Sequence, residues 1–451
     1  MKKQLLSLVA ISALTASVSL NASESNSLDT LVVTATKTEQ KLSDITANSI
    51  IIKSDMIEQK ENITISDLLS QNSGISFVRT GGLGKTTDIL LRGMSNNRTL
   101  VLIDGMRYND PSSTNGANFA NLMLTDIERI EIIKGAQSGV WGSDAVAGVI
   151  NIITKKAPIG FSSSINLEYG SFETKKAGLS VGFKDNMFDL KVSASRIDSD
   201  GFSTQAPKGE DIDKYEDDGY ENTTLNLKGG INTSNGRIEA VYMSIDSSSD
   251  YDSFASPDDK TMRSDVNSNL YKTSYAHSIG INKLTISNSV TAFNREEVGT
   301  TWGVKTFDGK TNTVEASNEV KYLDSAVAII GASNEIYNVA YKKADTTTNN
   351  MDSTNNAIFI SNTNIFGDIS ISESFRHDDY NNFDAVTTGK IGIKYSPDKW
   401  IFGVNYGTAY NAPNILQILN PWGAPNEDLE PETVKSYDLR VGYDSISITY
   451  F

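Results

Sequence analysis

The feature that most constrains the fold is a period-two alternation of apolar and polar residues that recurs from Phe161 to the end of the chain. In the first such stretch Ile165, Leu167 and Tyr169 alternate with polar residues, so one face of a strand is apolar and the other polar. The pattern returns at residues 190–194, 225–227, 279–281 and 391–395. We count about fifteen strand candidates of this kind.

The connections between these strands alternate in length. Residues 184–186 and 234–236 form short turns, whereas residues 198–222 and 246–267 are long polar stretches. This asymmetry is typical of the two rims of an antiparallel membrane β-barrel, with short periplasmic turns and long extracellular loops. A hydrophobic content of 38% fits this fold, because each strand needs an apolar face only toward lipid. The alternative is a soluble β-helix or sandwich, which needs neither the asymmetry nor the polar alternate face.

Composition excludes several other classes of protein. Residues 1–22 combine a basic start, an apolar segment and a small-residue end, which predicts a secretory signal peptide. No later stretch has the eighteen or so apolar residues of a membrane helix. The chain has no cysteine, which excludes disulfides and thiolate metal sites, and its net charge of −16 disfavours a nucleic-acid partner. No nucleophile, base and orienting partner form a recognisable set, so no enzyme activity is predicted.

A domain of different character precedes the alternating region. Residues 65–69 have helical spacing, and the apolar runs at 100–103 and 130–133 are typical of buried strands, so a compact α/β domain is predicted. Composition changes near Pro158. We therefore expect a signal peptide at 1–22, a linker at 23–45, the α/β domain at 46–157 and the barrel at 158–451.

A glycine-rich run at residues 81–86 superficially resembles a phosphate-binding loop. Arg79 stands where such a loop requires its first glycine, and no suitable strand–loop–helix pattern surrounds it. We therefore reject a nucleotide-binding role.

Several motifs resemble those of TonB-dependent outer-membrane receptors. A β-prone run near the N-terminus resembles the TonB box and consists of Asp29, Thr30, Leu31, Val32, Val33, Thr34 and Ala35. Residues 89–93, 101–107, 127–135 and 142–154 match the plug domain of that family, and residues 406–414 and 429–432 match its barrel. The resemblance implies an α/β plug inside a barrel of about 22 strands, in the outer membrane of a Gram-negative bacterium. This sequence would then contain only part of that barrel.

The resemblance also implies how the protein is energised. The box would pair by strand addition with the periplasmic protein TonB, which transmits the proton-motive force of the inner membrane. The charged residues Arg92, Glu128, Arg129 and Glu131 are expected to hold the plug to the barrel or to itself.

Within that family the chain looks most like the cobalamin receptors, so we expect active transport of cobalamin or a related corrinoid. The alternative is a ferric-siderophore or haem receptor, and haem would find only His277 and His377 as imidazole ligands. The resemblance places the Asn/Ser/Gly-rich loop at residues 108–121 at the plug apex, although an ordinary solvated loop is the alternative. The expected substrate contacts are Tyr108, Asn109, Ser112, Ser113, Asn115, Gly116, Ala117 and Asn118.

Two acidic stretches, residues 216–220 and 246–258, resemble the calcium-binding loops of cobalamin receptors. Calcium prefers six to eight oxygen ligands, which clustered carboxylates supply, and without a cation these charges would repel one another. The expected ligands are Glu216, Asp218, Asp246, Asp250 and Asp252. Ser203 stands where the family pattern has an acid, which removes one expected ligand. A merely solubilising acidic rim is the alternative.

Overall fold

The computed structural model describes residues 31–59, 64–205, 209–252, 261–299, 303–344, 348–444 and 446–451. The predicted signal peptide lies outside these residues, as do Asp29, Thr30 and the end of the second acidic stretch. The described chain forms an N-terminal domain of short strands and helices and a 15-stranded antiparallel sheet that wraps around it.

The N-terminal domain contains a five-stranded sheet and two separate two-stranded pairs. Its strands are β1 (Leu31–Val32), β2 (Gln40–Lys41), β3 (Ser49–Lys53), β4 (Ile75–Arg79), β5 (Thr87–Leu91), β6 (Thr99–Ile103), β7 (Met106–Arg107), β8 (Ile127–Lys134) and β9 (Gly148–Thr154), and its helices are α1 (Ser54–Glu58), α2 (Ile65–Ser70) and α3 (Ser138–Trp141). The sheet has the order β3-β8-β9-β6-β7, with β6 parallel to β9. The two pairs β1-β2 and β4-β5 form separate hairpins.

The elements predicted in this domain are confirmed. The expected helix is α2, which begins after a capping box between Thr64 and Asp67 and buries Leu68 and Leu69. The two expected apolar strands lie within β6 and β8. Every residue of β6 is buried, which explains why its sequence is apolar throughout instead of alternating.

The large sheet follows the chain order without crossovers. Its strands are β10 (Gly160–Tyr169), β11 (Lys175–Lys184), β12 (Phe188–Ser199), β13 (Tyr220–Asn232), β14 (Gly236–Asp250), β15 (Arg263–Ile279), β16 (Asn282–Val298), β17 (Lys305–Leu323), β18 (Ala326–Lys343), β19 (Asn349–Phe366), β20 (Ile369–Tyr380), β21 (Val386–Tyr395), β22 (Trp400–Asn411), β23 (Glu432–Tyr443) and β24 (Ile446–Tyr450). A short helix, α4 (Ile415–Leu419), lies between β22 and β23. The expected number of strand candidates is confirmed.

Each strand of this sheet has two unlike faces. On β21, Ile391 and Ile393 are exposed on the outer face, whereas Lys394 faces inward and donates to the carbonyl of Ile45. An apolar outer surface and a polar inner one are what a membrane barrel requires. Among the described residues, no helix is both long and apolar enough for a membrane span.

The predicted alternation of short turns and long loops is confirmed, but the lengths of the long loops differ from the prediction. The expected short turns separate β11 from β12 and β13 from β14. The long connections are shorter than predicted, because β13 already begins at Tyr220 and β14 continues to Asp250. At the end of β14, Asp246 still pairs with Asn267 on β15, although the residues on both faces of the strand are now polar. The apolar–polar alternation in the sequence therefore stops before the strand itself ends.

Buried ion pairs fix the N-terminal domain to the inner wall of the sheet. Arg92 Nη1 lies 2.7 Å from Asp438 Oδ1 on β23, and Lys228 Nζ on β13 lies 2.6 Å from Asp104 Oδ1. Within the domain, Arg129 forms ion pairs with Glu128 and Glu131. The expected structural role of these plug charges is therefore confirmed. Losing one partner of such a pair leaves an uncompensated buried charge.

Candidate functional site

A cavity of about 810 Å³, here called the upper cavity, lies at the long-loop end of the sheet. Its floor is formed by two segments of the N-terminal domain, at residues 84–88 and 113–118. Its wall is the inner face of β14 to β17, together with Leu416 and Trp422 from the connection between β22 and β23. The cavity is large enough for a ligand of several fused rings.

The predicted substrate residues fall into two groups. Ser113, Asn115, Gly116, Ala117 and Asn118 line the upper cavity, as the apical position of their loop predicts.

The other three predicted contacts serve the fold. Asn109 lines an adjoining side cavity of about 80 Å³, and its side chain bonds Val101 N at 2.8 Å and Thr99 O at 3.0 Å. Tyr108 is buried edge-on against Phe293, and buried Ser112 donates to Asp110. Neither of these two residues lines the upper cavity.

Hydrogen bonds from the domain below and from the barrel order the apical loop, residues 108–121. Asn96 Nδ2 donates to the carbonyls of Asn115 at 2.7 Å and Ala117 at 2.8 Å. Gly116 has φ +78°, and a Cβ there would lie 3.0 Å from Asn97 Cα. From the barrel side, Asn414 Nδ2 donates to Ser113 O at 2.9 Å. The loop therefore presents a preformed row of amides and hydroxyls to the cavity.

Sequence reasoning missed the glycine-rich run at residues 81–86 as part of the site. Gly84, Lys85 and Thr86 line the upper cavity. Gly84 has φ +75°, and a Cβ there would lie 2.1 Å from the Tyr220 ring, so close packing explains the glycine. Residues 81–86 do not form a phosphate-binding loop, but they connect β4 to β5 at the apex of the N-terminal domain.

The aromatic wall of the cavity was also missed. Phe293 on β16, Phe307 on β17 and Trp422 line the upper cavity. The Arg295 guanidinium stacks over the Phe307 ring at 4.2 Å. Burial raises the pKa of the nearby Asp110 carboxyl, whereas the positive charge of Arg295 lowers it. An aromatic residue on the polar face of a barrel strand is the sequence signal that would have identified this wall.

The predicted calcium ligands do not all come together. Asp218 is buried and accepts hydrogen bonds from Thr204 N at 2.9 Å and Thr204 Oγ1 at 2.6 Å. Asp250 lies close to Gly219, the residue after Asp218: a Cβ at Gly219 would be 3.2 Å from Asp250 Oδ2. Glu216 and Asp252 lie in the adjoining loops.

Asp246 lies apart from this set. It shares a face of β14 with Asp250 but lies four residues earlier, about 13 Å away on a strand that rises about 3.3 Å per residue. Within the part of the chain that the structure describes, no three acidic or histidine side chains are grouped to hold a metal. Lys85 Nζ instead lies 3.3 Å from Asp218 Oδ1, and burial lowers the pKa of Lys85 while Asp218 acts in the opposite direction.

At the other end of the sheet, residues 31–35 are held against the N-terminal domain. Val32 is fully buried, whereas Leu31 is exposed. The carboxylate oxygen Oε2 of buried Glu131 accepts hydrogen bonds from Val33 N at 3.0 Å, Thr34 N at 2.9 Å and Thr34 Oγ1 at 2.6 Å. The segment borders a lower cavity of about 980 Å³. The backbone donors that an added strand would use are thus engaged.

Two family models match this architecture in order along the chain. The one described as TonB-dependent Receptor Plug Domain matches residues 41–149, and the one described as TonB dependent receptor-like, beta-barrel matches residues 161–451. The chain belongs to the TonB-dependent receptors. The receptor is therefore an outer-membrane protein of a Gram-negative bacterium, and its N-terminal domain is the plug.

Curated relatives cover nearly all of the receptor. The Vitamin B12 transporter BtuB of Vibrio vulnificus is 29% identical over 458 residues, which cover 97% of this chain and 72% of that protein. The Vitamin B12 transporter BtuB of Photobacterium profundum is 27% identical over 446 residues, covering 97% and 71%.

Solved structures show the same fold. The siderophore receptor PirA from Acinetobacter baumannii superposes with a TM-score of 0.74 at 16% identity, over 89% of this chain and 69% of that one. A mutant of the ferric enterobactin receptor PfeA from Pseudomonas aeruginosa gives 0.76 at 15% identity, over 92% and 71%. At these identities the likeness concerns the fold and not the ligand.

Proposed function

We propose that the receptor transports cobalamin or a related corrinoid across the outer membrane, driven by TonB. The observation that carries the ligand is the similarity to vitamin B12 transporters along 97% of the chain. The family consists of receptors, and the proposed mechanism is binding and gated passage without bond chemistry. Ligand settles in the upper cavity, and the plug then opens a path through the barrel.

The upper cavity has the chemistry that a corrinoid needs. Such a ligand has broad apolar faces and an edge of amide groups. Phe293, Phe307 and Trp422 offer an apolar surface, and the apical loop offers Ser113, Asn115 and Asn118 for hydrogen bonds to the edge.

Residues 31–35 are the proposed TonB-binding segment, preceded by Asp29 and Thr30. An added strand needs backbone N–H and C=O groups along one edge. The N–H groups of Val33 and Thr34 bond Glu131 in this structure, so pairing with TonB requires that this contact is released.

Calcium is a further part of the proposal. Asp218 and Asp250 lie at one turn, with Glu216 and Asp252 in the adjoining loops, and a hard cation there would hold the loops over the upper cavity. Calcium would have to displace Lys85 from Asp218. Both cations are attracted by the same carboxylate and repel each other.

Equilibrium binding of cyanocobalamin to the purified receptor, with a ferric siderophore in parallel, tests the ligand. We expect saturable cobalamin binding that weakens at least tenfold in Phe307→Ala, because an aromatic ring in the cavity wall is lost. Phe375→Ala, on the exposed outer face of β20, is the matched control. Binding of the siderophore alone would leave the transport class standing and move the ligand to iron.

Calorimetry with calcium tests the loop site. We expect Lys85→Gln to bind calcium about tenfold more tightly than the unaltered receptor, because the competing ammonium group is gone. Lys305→Gln, which removes a cavity lysine paired with Glu297, is the control. The absence of calcium-dependent heat from all three proteins would remove calcium from the mechanism.

A further inference from the structure

Trp141 contacts the segment that TonB is proposed to bind. Its indole Nε1 donates to the carbonyl oxygen of Thr34 at 2.7 Å. The Lys37 ammonium, three residues further along, lies 4.7 Å from the centre of the Trp141 ring. One side chain thus holds the segment by its backbone and steadies the residue that follows it.

The backbone of Trp141 is held from above by Arg107. Arg107 Nη2 donates to Trp141 O at 3.4 Å, and its Nη1 donates to Ser143 O at 3.3 Å and to Asp144 Oδ2 at 2.7 Å. This buried guanidinium lines the side cavity. Arg107 also directly precedes the apical loop, so a shift of that loop acts on it through one peptide bond.

Trp141 is the last residue of a single-turn helix, α3, that is seated tightly on the barrel wall. A Cβ on Gly139 would lie 3.2 Å from Gly389 Cα, and Gly142 has φ +81° with its Cβ position 3.0 Å from Arg376 Nε. Because both glycines lie against the wall, α3 has little room to bend. Both contacts are made by Trp141, so a displacement of its carbonyl by Arg107 is passed to its indole within one residue.

The other contacts to Thr34 lack this connection. Glu131 is held by Arg129 on its own strand, β8, which is separated from β7 by β9 and β6. Asn151 Nδ2 donates to Thr34 Oγ1 at 3.1 Å from β9, which is buried in the middle of the sheet. These residues contribute affinity for the segment, and Trp141 differs in its direct bond to Arg107.

We propose that Trp141 is the positioning residue that couples the upper cavity to residues 31–35. Ligand that shifts the apical loop moves Arg107, and Arg107 shifts Trp141 so that the indole N–H leaves the Thr34 carbonyl. The segment then becomes available for strand pairing. The ligand-dependent half of this inference rests on the proposed function, whereas the tether between Trp141 and Thr34 does not.

The test uses a spin label at Val33→Cys, which is site-specific because the chain has no cysteine of its own. In Trp141→Phe the ring remains and the N–H donor is lost. We expect the mobile fraction of the label without ligand to rise about fivefold, as loss of one hydrogen bond implies. The further rise on adding cyanocobalamin should fall to less than half, with ligand affinity unchanged within about twofold. Trp400→Phe, on the outer face, is the control.

A ligand-free spectrum of Trp141→Phe equal to that of Trp400→Phe would overturn the tether. A full ligand-induced change in Trp141→Phe would overturn the coupling. If Trp141→Phe does not assemble, Trp141→Leu provides the same comparison, since leucine has no side-chain hydrogen-bond donor. If cobalamin fails to bind the unaltered receptor, the proposed function fails, and the ligand-free spectra still decide the tether.

Discussion

Deletion of residues 31–35 is expected to reduce cobalamin uptake to the background of cells that lack the receptor, while affinity for the ligand stays within about twofold. The segment lies at the lower cavity, at the opposite end of the barrel from the upper cavity, so its loss removes no ligand contact. What is lost is the strand with which TonB is proposed to pair. Uptake of radiolabelled cobalamin by whole cells and binding to isolated membranes measure the two quantities separately.

A pair of point variants refines this experiment. Val33→Pro removes the N–H donor of Val33 and should abolish uptake, whereas Val33→Ala keeps the donor and should retain most of it. Both variants remove the same valine side chain. Uptake that survives the deletion or Val33→Pro would rule out energy transfer through this segment.

Arg376→Met is expected to destabilise the receptor by about 3–5 kcal/mol, because it leaves a buried carboxylate without its partner. Arg376 is 1% exposed, and its Nε lies 2.9 Å from both carboxylate oxygens of Asp378, which is 0% exposed. The guanidinium also packs against Gly142 of the plug, so the variant should loosen plug and barrel together. Thermal unfolding in detergent, followed by circular dichroism, measures the effect.

Two further variants distinguish a buried charge from a general packing defect. Arg196→Met removes an arginine whose ion pair with Glu221 lies on the exposed outer face, and it should cost less than about 1 kcal/mol. Combining Arg376→Met with Asp378→Asn should recover much of the loss, since the uncompensated charge is gone. If Arg376→Met unfolds like the unaltered receptor, the buried pair does not contribute to stability as argued.

The sequence predicted the barrel well because each strand reports its own environment. Inward polar residues and outward apolar residues alternate within a few positions, as at Ile391 to Lys394. A strand can therefore be predicted from its own residues, without knowing which other segments it contacts. The prediction fails where that environment becomes uniform. Residues 246–250 are polar on both faces even though Ser247 and Ser249 are buried, so the strand has no apolar alternation and its sequence resembles that of a loop.

The candidate site was only partly predictable, since a cavity depends on which segments meet in space. The apical loop was found by its composition and its resemblance, and Ser113 to Asn118 do line the cavity. Within the same loop, Tyr108 and Ser112 look equally suitable in sequence, yet they turn into the core. Lys85 was missed because its meaning depends on Asp218, a partner 133 residues away.

The engagement of the Val33 and Thr34 amides by Glu131 bears on how receptors share a common energy source. If only about 1% of unoccupied copies expose the segment, their apparent affinity for the energising partner falls about a hundredfold. Many idle copies can then populate one membrane without drawing that partner away from the few that carry cargo. Membranes containing an excess of a Glu131→Ala variant should accordingly slow import through other receptors of the same cell.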